Sequence, residues 1–199
     1  EPVGGGDRLD WPVALKAADE RWRNRIDVGA VHLGLADETD LRAAWAAVQA
    51  TAGTGPAFVQ PMARAGVSTV VRLVRDPVAG PLLSLRLGGV ALDLLADPVT
   101  RTLPLTDLDA AELVRGIRGA QLLTGEVTGT PADLAALEEL LLRVAALGEG
   151  VAEVAELVLD PVLVQESGLV ALHAGLRLLP PGSDSELGPR RLGSSYAVL

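Results

Sequence analysis

The segment STVVRLVRDPVAGPLLSLRLGG, residues 68–89, decides how the chain is read. Ser68–Arg75 and Leu82–Leu87 are apolar runs of strand length. Arg75-Asp76-Pro77 and Gly80-Pro81 supply turn chemistry between them. Two strands joined by so short a turn pair antiparallel. Gly88-Gly89 closes the second strand. A glycine pair there can present backbone N–H groups to a phosphate, and a plain turn needs the same glycines.

Working outward, further strands are predicted at Trp11–Lys16, Val28–Leu35, Ala57–Pro61, Val154–Asp160 with Val162–Gln165, and Leu169–Leu178. The last two flank Glu166-Ser167-Gly168 and form a second hairpin. Three helices are marked by caps and periodicity. Asp37 or Thr39 caps a helix carrying Leu41, Ala44, Trp45 and Val48, with Gly53 as its stop. Thr106 with Asp109 opens another. In the third, Thr130 is the cap, Pro131 the first helical residue and Asp133 the N3 residue; Leu134, Leu137, Leu141 and Val144 form its stripe and Gly148 its stop. Strands outnumber helices and several are sequence neighbours, so the fold class is α+β with antiparallel-rich sheets and flanking helices. Residues 1–10 are Gly-rich and expected to be loose, 11–179 form the ordered domain, and 180–199 read as a polar tail.

Composition narrows the function. The chain of 199 residues is 49% hydrophobic, enough for one domain or two small lobes. No apolar run reaches the roughly 18–20 residues of a membrane span, so a soluble cytoplasmic protein without a membrane partner is expected. A net charge of −9 and 3% aromatics disfavour nucleic acid as a partner. With no cysteine, disulfides and thiolate chemistry are excluded. Lys16 is the one lysine among 17 basic residues, at the end of its predicted strand, where it is either a solvated terminus or a site residue. Strand alternation puts Glu156, Val158 and Asp160 on one face. A turn centred on Glu166-Ser167 sets Asp160 across from His173. These two are expected to pair with each other. The alternatives are two solvated residues, or a site in which His173, Glu156 and Asp160 hold a transition metal.

The order PVALK, DVGAVHLGLAD, VQPMARAGV, VVRLVRDPVAGPLLSLRLGGV, LPLTD, IRGAQLLTG and AELVLDPVLV…VALHA resembles the ATP-grasp domain of ADP-forming acyl-CoA synthetases, relatives of the succinyl-CoA synthetase β subunit. The resemblance runs from about Trp11 to Leu178. It implies a two-lobed fold holding ATP between two sheets, with phosphate passing to a histidine on the CoA-binding part, a domain this chain lacks. It places Lys16 and Arg101 on the nucleotide phosphates, Val59, Gln60, Pro61 and Met62 in the hinge facing adenine, Gly88 and Gly89 in the glycine loop, and Glu156, Asp160 and His173 at the magnesium positions. Asp27 and Gly29 match the end of a His-Lys-Ser-Asp-x-Gly-Gly stretch.

Departures from the family pattern cluster at the chemistry. Asn24-Arg25-Ile26 replaces the His, Lys and Ser of that stretch, and Ala30 its second glycine. Ser68 stands for a glutamate, and Arg72 and Arg86 for glycines. Asp160 replaces an asparagine and His173 an aspartate. A helix and strand expected before WPVALK are missing, which implies an incomplete nucleotide lobe. Arg86 fills a place where backbone should approach phosphate, although an arginine can itself bind phosphate. Imidazole is a poor exchange for a hard oxygen ligand of magnesium. The resemblance therefore implies weak or absent ATP and magnesium binding and weakened or lost ligase activity, in a larger protein with CoA-binding and other domains. The alternative it allows is a non-catalytic regulatory or structural module of an acetyltransferase-fused protein.

Overall fold

The computed structural model describes residues 10–22, 27–89 and 98–180. The expectations for residues 1–9, 24–26 and 181–199 lie outside them. The chain divides into two units between Arg64 and Ala65. It is α+β, and every strand pairing among the described residues is antiparallel.

The first unit is a three-stranded sheet of β1 (Val13–Ala17), β2 (Val31–Leu35) and β3 (Ala57–Pro61), in the order β2-β1-β3. Helix α1 (Glu38–Ala52) packs Ala44 and Val48 with Leu15, joined by Leu41, Trp45 and Val59. The helix starts where predicted because the Asp37 carboxylate accepts the N–H groups of Thr39 and Asp40. It ends at Gly53, whose φ of 84° suits a residue without Cβ. β1 and β2 start two and three residues later than expected. Asp27–Gly29 forms a turn, so Val28 is not in β2.

The second unit holds β4 (Val67–Asp76), β5 (Gly80–Leu87), β6 (Val99–Thr102), α2 (Asp107–Gly116), α3 (Gln121–Thr124), α4 (Leu134–Gly150), β7 (Val154–Val164), β8 (Leu169–Ala171) and β9 (Ala174–Leu178). The sheet order is β6-β5-β4-β7-β8, with β9 also paired to β7. The hairpin read from residues 68–89 forms with Asp76 opposite Gly80. The Asp76 carboxylate accepts the N–H groups of Val78 and Ala79 and so folds the turn locally. Leu73, Leu83, Leu85, Leu159 and Val162 bury one sheet face against Leu113 and Val114 of α2 and Leu137, Leu141 and Val144 of α4.

Four boundaries in this unit differ from expectation. The cap of α4 is Asp133, not Thr130. One Asp133 oxygen accepts Ala136 N–H and the other accepts Gly168 N–H, tying the helix start to the β7–β8 turn. Gly148 does not stop α4. A Cβ there would lie 2.9 Å from the Leu73 methyls, so the missing side chain serves close packing inside the helix. Arg75 clamps the junction of α4 and β7: its Nη2 donates to Gly148 O at 3.0 Å and Val151 O at 3.4 Å, and its Nε donates to Val154 O at 3.3 Å. β7 runs unbroken through Pro161, with an irregularity in the facing ladder between Thr69 and Val71. The predicted Leu169–Leu178 strand is instead interrupted at Leu172-His173.

Candidate functional site

In the first unit, Lys16 lies on the central strand, opposite Val31 on one side and Phe58 on the other. It is half-buried. Neighbouring β3 is an edge strand of this sheet. Met62 N–H donates to Pro12 O at 2.9 Å and Ala18 N–H to Pro56 O at 2.9 Å. That phase turns the backbone of Gln60 and Phe58 toward β1 and the backbone of Val59 and Pro61 outward. Of the four residues expected at the hinge, Val59 offers one outward donor and acceptor pair. Pro61 adds an acceptor only.

In the second unit the sheet has two chemically different faces. Residues directly opposite in antiparallel strands share a face. Arg101 stands opposite buried Leu83, so it lies on the helix-covered side. There its Nη2 donates to Glu112 of α2 at 3.3 Å. Arg72, Ser84, Arg86, Glu156 and Asp160 alternate onto the other face. Arg101 is therefore not brought together with Glu156 and Asp160; the sheet separates them.

On the open face Glu156 sits between two guanidinium groups. Arg72 donates from Nε to Oε1 at 2.8 Å, and its Nη2 forms an ion pair with the same oxygen at 2.7 Å. Arg177 donates from Nη2 at 3.3 Å and Nε at 3.4 Å to Oε2. Hydrogen bonding from Arg72 holds the Glu156 carboxyl below its ordinary range. Partial burial opposes this, and the charges of Arg72 and Arg177 add to the lowering.

Asp160 stands across from His173 in the register read from the sequence, and Asp160 N–H donates to His173 O at 3.1 Å. The expected side-chain pair does not form. The imidazole leans along its own strand, with Nε2 3.8 Å from where a Cβ of Gly175 would lie. Among the described residues, no three Asp, Glu, His or Cys side chains gather in a group able to hold a metal ion. Magnesium takes near-octahedral oxygen coordination. With both Glu156 oxygens engaged and Asp160 and His173 apart, this donor set does not fit the ion.

Gly88 closes β5 as expected, but its N–H donates to Ser68 O at 2.8 Å. A Cβ on Gly88 would meet Ser68 Oγ at 2.5 Å. Gly88 thus answers to close packing against Ser68. Gly89 has φ 119° and open space beside it. Arg86 Nη1 donates to Leu87 O at 3.1 Å. The sequence reading does not include Arg177. The signal was present, because the turn that sets Asp160 opposite His173 also sets Glu156 opposite Arg177. Arg72 on Glu156 spans 84 residues and carries no local signal.

A family model for the ATP-grasp domain matches residues 3–178. The chain is 33% identical over 168 residues to acetate–CoA ligase [ADP-forming] I of Archaeoglobus fulgidus, covering 81% of this chain and 24% of that protein. It is 25% identical to the β subunit of acetate–CoA ligase [ADP-forming] I of Pyrococcus furiosus, covering 89% and 80% of the two chains. Among solved structures, the dinucleotide-forming acetyl-coenzyme A synthetase 1 of Ca. Korarchaeum cryptofilum, in complex with coenzyme A, Ca-AMPCP and HgCl+, aligns with a TM-score of 0.76 at 30% identity. That alignment covers 86% of this chain and 78% of that one. A Mg-AMPPCP complex of the same synthetase has its phosphohistidine segment pointing towards the nucleotide-binding site, and aligns at 0.74 with 31% identity over 85% and 77% of the two chains. The chain spans about a quarter of the length of the Archaeoglobus relative. The antiparallel sheets, the matched residues and these likenesses agree, and the chain belongs to the ATP-grasp domain family, in the branch similar to ADP-forming acyl-CoA synthetases.

Proposed function

We propose that this domain serves a larger acyl-CoA-synthetase-like protein as a nucleotide-binding module whose magnesium-dependent ligase chemistry is weakened or lost. The observation that carries this reading is the engagement of both Glu156 oxygens by Arg72 and Arg177. Phosphoryl transfer depends on positioning and on neutralising the phosphate charge. A carboxylate already neutralised by two arginines gives a divalent ion little to hold, and Gly88 N–H is engaged by Ser68. For the nucleotide, the reading places adenine at the outward backbone of Val59 and Pro61, with Gln60 and Met62 completing the hinge. By the family resemblance, Lys16 of the first unit and Gly89 of the second are each assigned to phosphate. Arg101 is the weakest of the assigned phosphate ligands, because it answers Glu112 on the covered face.

CoA-binding and other domains of the larger protein are its partners in this reading, and the cytoplasm its compartment. No helix among the described residues is long and apolar enough to cross a membrane.

The test is ADP formation by the isolated chain from ATP, magnesium, acetate and CoA. No turnover is expected. ADP release that depends on both acetate and CoA would overturn the proposal. ATP binding without turnover would also suit a regulatory module in an acetyltransferase-fused protein, the second reading.

A further inference from the structure

The open face of the six-stranded sheet does not fit a magnesium ion, yet it is not without cationic groups. Arg72 uses Nε and Nη2 on Glu156, and so does Arg177. Each guanidinium has five N–H donors in a planar fork. The Nη1 end of each therefore remains directed away from the carboxylate. Both side chains are well exposed, at 50% and 61%. The trio of two guanidinium groups and one carboxylate carries a net positive charge. Glu156 fixes the spacing of the two forks, because each of its oxygens anchors one of them. Ser84 lies on the same face, and its hydroxyl donates to Arg72 O at 3.3 Å, buttressing the strand that carries the tighter fork. Asp160 is the opposing charge on this face, two strand repeats further along β7.

Two pre-set guanidinium forks are suited to bidentate recognition of phosphoryl oxygens. They supply fixed positive charge of the kind a magnesium ion otherwise brings to a polyphosphate. We infer that this face of the second unit binds a polyphosphate group through Arg72 and Arg177 without a divalent cation, with Glu156 as the positioning residue for both rather than a metal ligand. The inference rests on the nucleotide-binding reading above, but its anion chemistry can be tested apart from adenine.

The experiment is titration calorimetry of the full chain with ATP and, separately, with inorganic tripolyphosphate, each in EDTA and in excess magnesium. Both ligands are expected to bind in EDTA with an affinity equal to or higher than in magnesium, since magnesium competes with the guanidinium groups for phosphate charge. Arg72→Gln and Arg177→Gln should each weaken tripolyphosphate about tenfold or more, the scale of a lost charge-assisted contact. Arg72→Lys should recover only part of that loss, because a lysine keeps the charge without the fork. Glu156→Gln should weaken binding as well, although it removes a negative charge, because the forks lose their anchor. Tripolyphosphate binding without ATP binding would refute the nucleotide reading and leave the anion face standing. An affinity that rises tenfold with magnesium, binding that the arginine variants leave unchanged, or no tripolyphosphate binding in EDTA would overturn the inference. The wild-type comparison of EDTA with magnesium decides the point even if a variant fails to fold.

Discussion

Removing the carboxylate of Glu156 should cost little stability, and the cost should be divided unequally between its two partners. Arg72 approaches one carboxylate oxygen to 2.7 and 2.8 Å, whereas Arg177 stays at 3.3 and 3.4 Å from the other. Glu156 is 23% exposed, but both arginines are more than half-solvated or close to it, at 50% and 61%. Solvent screening therefore sets the scale, at about 0–1 kcal/mol for an exposed pair. A double-mutant cycle of Glu156→Gln with Arg72→Gln should give a coupling of about 0.5–1 kcal/mol, and the cycle with Arg177→Gln about 0–0.5 kcal/mol. The pH dependence follows from the lowered carboxyl pKa. Because the folded value lies below the unfolded value of about 4.3, the coupling is present above that pH and is lost as pH falls through the folded value. Urea unfolding at neutral pH and at successively lower pH measures both couplings. Equal couplings, an Arg72 coupling above about 2 kcal/mol of the kind seen for buried pairs, or a coupling that grows as pH falls would refute the reasoning.

Two further predictions concern the scaffold of the second unit. Arg75→Gln removes the guanidinium that holds the carbonyls of Gly148, Val151 and Val154, and should destabilise the unit by about 1–3 kcal/mol in chemical denaturation, with faster amide exchange in the last turn of α4; an unchanged midpoint would show that the clamp is incidental. Leu141→Ala empties a fully buried position of α4 against the sheet and should cost about 2–5 kcal/mol by the same measurement.

What was legible in the sequence was local. Asp76 folds its own turn, Thr106 and Asp109 form a capping box, and the Glu166-Ser167 turn fixed the β7–β9 register well enough to set Asp160 against His173. What failed was decided by partners distant in sequence. Thr130 lost the cap of α4 to Asp133 because only Asp133 also receives Gly168 N–H from the β7–β8 turn. Gly148 looked like a helix stop until Leu73 packed against it. β6 is four residues, Val-Thr-Arg-Thr, too short to show an apolar face. Arg101 and Arg72 are both arginines on strands, and only the non-local pairing shows that one faces Glu112 under the helices and the other Glu156 on the open face. The departures at Arg72 and His173 were visible in sequence, but that Arg72 closes on Glu156 while His173 turns away from Asp160 required the sheet.

The most direct test of the account is the magnesium dependence of ATP affinity in the wild type and in a variant carrying Arg72→Gly, Asp160→Asn and His173→Asp together, measured by calorimetry in EDTA and in excess magnesium. The account predicts no gain from magnesium in the wild type. It predicts a gain of about tenfold or more in the variant, as Glu156 is released from its closer arginine and oxygen donors return to β7 and the residue opposite it. A wild-type chain that already binds ATP more tightly with magnesium, or a folded variant that binds ATP with no response to the ion, would contradict it.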